Sequence, residues 1–285
     1  MDVKKRSLLE IHISVLLFGL TGLFGRYLDM PAVFITLGRV FFASIFLFCF
    51  YKLKRADLRL ASFWDYLTVA AAGGILAFHW TAFYQSVKVS TVAIAVLTFS
   101  TYPIFVTFSE PFLFGEKIKI RDIFFAFLMF AGVLLIVPEF NLSNQMTLGI
   151  LWGMGSSFSY AVMSLLNRKF AQKYQGGVIA LYEQGVATLV LLPILLVARP
   201  VVTPMEWGLL ILLGIVFTGT AHSLFINGMK NVRAQTAGLI AGLESVYGIA
   251  AAALLLGEIP TAGELIGGAV ILGTAFLSTW YSSRE

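Results

Sequence analysis

The chain has 285 residues, 59% of them apolar and only 12% charged, with a mean hydropathy of +0.88. That balance excludes an ordinary water-soluble domain and points to an integral membrane protein. The 20 Lys and Arg against 15 Asp and Glu would raise nucleic acid as a partner in a soluble chain, but here the excess sits between apolar runs and reads as membrane topology, with no nucleic-acid partner.

A bilayer core about 30 Å thick is crossed by roughly 20 apolar residues in a helix. The N-terminal stretch MDVKKRSLLEIHISVLLFGLTGLFG joins a basic flank to an apolar run over 8–25. No clear small-x-small cleavage site follows it, so it reads as a retained first helix and not as a secretory signal. Further runs predict helices over 32–51, 64–84, 92–112, 121–137, 147–166, 178–197, 206–226, 235–256 and 263–281. Connections are short throughout and leave no room for a soluble domain. Pro103 and Pro193 interrupt helical hydrogen bonding and predict kinks in the fourth and seventh helices. The pairs Gly238/Gly242 and Gly263/Gly267 predict close helix crossings. The lone cysteine, Cys49, excludes an intramolecular disulfide.

Basic residues alternate from loop to loop. Lys4, Lys5, Arg6, Lys52, Lys54, Arg55, Arg59, Lys117, Lys119, Arg121, Arg168, Lys169, Lys173, Lys230, Arg233 and Arg284 fall on one side, 16 in all. Only Arg26, Lys88 and Arg199 fall on the other. Missing or inventing one span would destroy this alternation, so it supports ten helices with both termini cytoplasmic.

Displacing the chain against itself by 142 positions brings Arg26 onto Arg168, Phe83 onto Phe225, Lys88 onto Lys230, Ala95 onto Ala237 and Leu97 onto Leu239. The same shift brings Gly115-Glu116 onto Gly257-Glu258. It also maps each predicted helix onto the one five places later. The chain thus reads as an all-α membrane protein of ten transmembrane helices in two five-helix repeats, 1–142 and 143–285. Five is odd, so the second repeat must enter the membrane from the opposite side. Inverted repeats of this kind give a carrier two related arrangements and a site near the midplane. Gly115 and Gly257 are expected to end helices, and Glu116 and Glu258 to cap the helices that follow.

The repeat, the segment Ser86-Val87-Lys88-Val89-Ser90, the two Gly-Glu pairs and Gly242-Leu243-Glu244-Ser245-Val246 resemble the drug/metabolite transporter superfamily, specifically its EamA family. Ser245 departs from the proline that the family's Leu-Glu-Pro stretch carries, while the repeat mate Thr101-Tyr102-Pro103 keeps the proline and lacks the glutamate. The resemblance implies a ten-helix carrier with a central cavity, commonly exporting amino acids or other small metabolites.

Ionisable groups inside hydrocarbon are costly and mark candidate sites. Glu244 lies mid-helix beside Gly242, with Tyr247 on the same face. It suits an ammonium group or a proton; its structural alternatives are a bond to broken backbone or a pair with Arg39. His79, Trp80 and Tyr84 share the third helix, and His222 is the repeat mate of Trp80. Imidazole can donate, accept or change charge near neutrality, and aromatic faces accept apolar groups and cations. Trp152, Ser156 and Tyr160, at spacing four, form a stripe, and Tyr102 stands beside Pro103. Trp152 could equally anchor the membrane interface. Arg39 and Glu183 read as an internal ion pair or gate, and Gln85 and Asn227 as helix-end caps.

Catalysis has little support: the sequence contains no P-loop, no H-E-x-x-H and no paired cysteines. No cofactor or metal is expected. The reading is a secondary transporter of the inner (plasma) membrane working by alternating access, a monomer or homodimer, which exports amino acids or similar amphipathic metabolites. Protons are the candidate coupling ion. Efflux of lipophilic cations or drugs is the first alternative, and a membrane-embedded enzyme using His79, His222 and Glu244 the second.

Overall fold

Away from water every backbone N–H and C=O must find a partner within the protein, which restricts lipid-facing segments to helices or closed barrels. The computed structural model describes residues 3–114, 118, 120–137, 141, 143–232, 237 and 240–282, and among them every regular element is helical. In chain order these are α1 (Val3–Tyr27), α2 (Ala32–Leu53), α3 (Phe63–Val89), α4 (Val92–Phe99), α5 (Tyr102–Phe114), α6 (Ile120–Ile136), α7 (Gln145–Phe170), α8 (Gly176–Leu191), α9 (Pro204–Gly214), α10 (Ala221–Gly228), α11 (Leu243–Leu256) and α12 (Ala262–Ser282). Among the described residues seven segments are long and apolar enough to cross a membrane, and Leu243–Leu256 and Ala262–Ser278 are shorter apolar helices.

Three expected helices are interrupted, each for a local reason. The fourth breaks at Ser100-Thr101 into α4 and α5, because Pro103 lacks an N–H and fits only in a helix's first turn. The Phe99 carbonyl, deprived of an N–H partner by Pro103, is met by a hydroxyl from a neighbouring helix. Ser157 of α7 donates to it at 3.1 Å, while Ser245 of α11 adds a bond of 2.8 Å to the Val96 carbonyl, which already accepts from the Ser100 N–H. Ser245 thus stands where the related pattern has proline, and it ties α11 to the end of α4 through the Val96 carbonyl and the Ser100 hydroxyl. The seventh tightens into a 3₁₀ turn over Leu192–Leu196 around Pro193. The eighth widens into a π-helical turn over Ile215–Thr220 between α9 and α10, where the Thr218 and Thr220 hydroxyls donate to carbonyls five residues back. A π-turn is a local expansion often found at functional sites.

Small residues set the closest approaches. Any side chain at Gly153 of α7 would run into the Thr98 hydroxyl, and a Cβ on Gly19 of α1 would lie 2.7 Å from the Glu244 carbonyl. The expected crossing at Gly263 and Gly267 is present: Cβ atoms there would lie 3.0 and 2.7 Å from the Leu135 and Gly132 carbonyls of α6. Gly238, its counterpart in the other expected pair, lies outside the described residues.

The turn after α11 corrects one expectation. Gly257 ends that helix with φ +70°, a left-handed conformation that glycine adopts without a Cβ penalty. Glu258, however, does not cap the helix that follows. That cap belongs to Thr261 and Glu264, which exchange side-chain to backbone bonds of 2.6 and 3.2 Å. Glu258 instead accepts from the backbone N–H of Val92, at the start of α4, at 2.9 Å. The matching pair Gly115-Glu116 lies outside the described residues.

Candidate functional site

Five helices and the π-turn bring charge into the middle of this apolar bundle. Arg39 of α2 is 1% exposed, and its guanidinium lies 3.7 Å from the centre of the Trp80 ring of α3. Its Nε donates to the Thr218 hydroxyl at 3.0 Å, which the π-turn turns inward, and its Nη1 donates to the Tyr84 hydroxyl at 3.2 Å. A planar guanidinium stacked on indole and fixed by two hydrogen bonds is preorganised to meet a planar anion such as a carboxylate.

Glu244 of α11 lines the same small pocket, of about 30 Å³, together with Arg39, His79, Trp80, Tyr160 and His222. Among the described residues no side chain hydrogen-bonds its carboxylate. It is the one acidic group of that pocket's wall, and its oxygens remain available to a ligand.

The two histidines are held differently. His79 Nδ1 lies 2.9 Å from both the carbonyl and the hydroxyl of Ser156 on α7. Donation to the carbonyl places the proton on Nδ1 and leaves Nε2 as an acceptor. His222 of α10 faces the edge of Trp80, with ring centres 5.9 Å apart, and its Nε2 lies 2.8 Å from Oε2 of Glu183 on α8. The ion-pair expectation for Arg39 and Glu183 is therefore corrected: Glu183 pairs with His222, while Arg39 engages Thr218, Tyr84 and Trp80 and faces the pocket.

Phe99, Tyr102 and Tyr160 form an aromatic cluster with centre-to-centre distances of 5.1 to 5.5 Å. Tyr160 borders the small pocket and also a vestibule of about 390 Å³, lined by Tyr102, Ser164, Arg168, Phe225 and Lys230 among others. The vestibule opens at the end of the bundle that carries Arg168 and Lys230. At the other end, Arg26 of α1 bonds Glu258 at 2.6 Å and also donates to the Ser90 carbonyl.

Of the residues expected to touch a ligand, the structure brings Glu244, His79, Trp80, His222, Tyr160 and Tyr102 to these two spaces. Tyr84 and Ser156 stand one layer behind, holding Arg39 and His79. Tyr247 packs against Gly19 of α1 instead of facing the pocket. Trp152 is 39% exposed and borders neither space. Eight residues along a helix turn through about 800°, leaving Trp152 and Tyr160 some 80° apart, so the stripe does not hold. Asn227 does act as a cap, but for a neighbouring helix, accepting from the Gly176 N–H at 2.9 Å. Sequence reasoning missed Phe18, Thr21, Phe83, Phe99 and Met163 of the pocket wall, apolar or small residues like the many others in these spans.

A bundle of membrane-crossing helices around a charged, aromatic-walled pocket with a vestibule at one end has the build of a small-molecule membrane transporter. Residues 6–137 and 147–280 each match the EamA-like transporter family, and the chain belongs to that family. It is 29% identical over 273 residues to an uncharacterized transporter of Archaeoglobus fulgidus, covering 94% of each chain. It is 23% identical to the uncharacterized transporter YxxF of Bacillus subtilis, covering 93% of this chain and 86% of that one. A crystal structure with 20% identity superposes with a TM-score of 0.71 over 98% of this chain and 97% of the other, a likeness of fold.

Proposed function

We propose that this transporter moves amino acids or similar small amphipathic metabolites by alternating access, with Arg39 receiving the substrate carboxylate and Glu244 its ammonium group. The observation that carries this reading is the pairing in one pocket of a fixed guanidinium and an unbonded carboxylate. Opposite charges in the wall of one pocket match a zwitterion at both ends. Trp80, Tyr160 and Phe99 offer aromatic surface to the apolar part, and the vestibule has room for its bulk. Entry from the vestibule requires Tyr160 to yield, since it stands between the two spaces.

Ten spans in two inverted halves, 1–142 and 143–285, remain the topology that best explains the alternation of basic residues. The matching of one family twice along the chain supports duplication. In that topology the vestibule faces the cytoplasm and the Arg26–Glu258 bridge closes the outer side of the inner membrane, so the conformation is ready to load from within, as export requires. Lipophilic-cation efflux is less well served, because Arg39 places a cation in the pocket against an incoming one.

A thermal-shift screen of the purified protein against the amino acids tests the proposal, since a ligand that binds the folded state raises its apparent stability. Stabilisation by one or more amino acids, lost in Arg39→Gln and in Glu244→Gln, is expected. Stabilisation by lipophilic amines lacking a carboxylate, with amino acids inert, would overturn it.

A further inference from the structure

Between α2, the 3₁₀ turn and the start of α9 runs a groove of about 450 Å³ that belongs to neither of the two spaces above. Around Pro193 the end of the seventh helix tightens, and Leu192 and Leu195 of that turn share the groove wall with Leu37 and Phe41 of α2. Leu192 and Phe41 are exposed, so the groove opens outward from the bundle to the bilayer. Its volume lies in the range of about 300–1,000 Å³ in which small ligands are bound.

Two polar side chains stand in this apolar lining. Arg199, in the segment between the turn and α9, is its one charged residue among those described. The Arg199 Nε donates to the Leu195 carbonyl at 3.1 Å, taking the place that the backbone N–H of the same residue would fill if the helix continued. The side chain is thereby tied back onto the turn. Among the described residues its Nη1 and Nη2 have no hydrogen-bond partner, and neither does Nε1 of Trp207 on α9, whose ring meets that of Phe42. The free edge of the guanidinium is one with which arginine meets a phosphate through two parallel bonds. Trp207 marks the level of the membrane–water interface, where tryptophan is enriched at the depth of the lipid headgroups.

We infer that this groove binds a phospholipid of net negative charge, with one acyl chain along the apolar wall and the phosphate on Arg199 and Trp207. An apolar trough with a cationic rim matches an amphiphile at both ends, which neither free phosphate nor a plain alkyl chain would satisfy. Basic pockets between membrane-crossing helices take anionic headgroups for this reason. No carboxylate stands among the described lining residues, so the ammonium of a zwitterionic headgroup finds no partner there. Phosphatidylglycerol brings no such group. The inference is independent of what the protein transports.

Fluorescence quenching of the full-length protein in vesicles tests it, using phospholipids brominated on their acyl chains, which quench a tryptophan on contact. The signal of Trp207 is the difference between a protein and its Trp207→Phe variant; that of Trp152, which does not line the groove, is obtained likewise from Trp152→Phe. Read from the rise of quenching with brominated fraction, phosphatidylglycerol should bind beside Trp207 about two- to fivefold more tightly than phosphatidylcholine of the same chains, the scale of an exposed ion pair. At Trp152 the two lipids should be equal. In an Arg199→Gln background the preference at Trp207 should vanish while both lipids still quench, because the apolar wall is intact. Equal binding of the two lipids at Trp207 in the unsubstituted protein, or an undiminished preference in Arg199→Gln, would overturn the inference. Failure of both lipids to quench Trp207 while Trp152 is quenched would mean that protein, such as a second copy of the chain, covers the groove, and would overturn it as well.

Discussion

The two ends of the central cavity are built on different principles. At the closed end, charged side chains from one set of loops reach backbone atoms of another. Arg26 joins Glu258 and the Ser90 carbonyl, Glu258 receives the Val92 N–H, Lys88 reaches the Leu28 carbonyl at 2.5 Å, and Glu206 accepts from the Asp29 N–H at 3.0 Å. At the open end Arg168 and Lys230 line a vestibule. The three basic residues that sequence assigned to the sparse side, Arg26, Lys88 and Arg199, are all used structurally, Arg199 bonding the Leu195 carbonyl at 3.1 Å. Arg26 and Lys88 bridge separate elements there, whereas Arg199 bonds within its own segment, so the seal is a small number of bonds that can be broken singly.

The largest effect is expected from Glu258→Ala, which removes the partner of Arg26 and the acceptor of the Val92 N–H together. The hydrogen bond from the Val92 N–H to the charged carboxylate contributes about 1.5–3 kcal/mol, so its loss alone should open the closed end by roughly ten- to a hundredfold in population. In a Cys49→Ser background, labelling of a Thr21→Cys probe by a membrane-impermeant maleimide from that end reads the change. Arg26→Ala should act in the same direction and by a similar amount, because it removes the bonds to Glu258 and to the Ser90 carbonyl while Glu258 keeps its bond to Val92. Glu258→Gln should act least of the three: the amide oxygen still accepts from Val92, and what is lost is a partly exposed ion pair of about 0–1 kcal/mol. Arg168→Ala, at the repeat mate of Arg26, should lower Thr21→Cys labelling slightly if the two residues serve opposite ends. Trp152→Ala should leave ligand-induced thermal stabilisation unchanged, whereas Tyr160→Ala should abolish it.

Much of the cavity was legible because hydrocarbon makes polar side chains conspicuous: Glu244, His79, His222 and Arg39 stand out of apolar runs, and all four meet. What the sequence hid were partnerships. Arg39 and Glu183 looked like a pair because their helices are repeat mates, but orientation about each helix axis gives Glu183 to His222. Thr218 gave no signal, since only the π-turn aims it at Arg39. Glu258 was legible as a helix-end acid, yet its bond runs to α4 and Arg26 and not to the helix it precedes. Loop parity could have found that bridge, because Arg26 and Glu258 fall in loops predicted for the same side. Packing needs were hidden too: Ser157 satisfies the Phe99 carbonyl that Pro103 leaves unmet, a need visible only once the break at Ser100-Thr101 is seen.

Access of the pocket to one end at a time is the central claim, and sealed vesicles carrying single cysteines test it most directly. Ser164→Cys in the vestibule and Thr21→Cys in the pocket wall, each in Cys49→Ser with and without Glu258→Ala, would be labelled from each side in turn. Glu258→Ala is expected to raise Thr21→Cys labelling from the Arg26 end while lowering that of Ser164→Cys from the vestibule end. A rise at both positions together would mean a continuous pore, and would contradict alternating access.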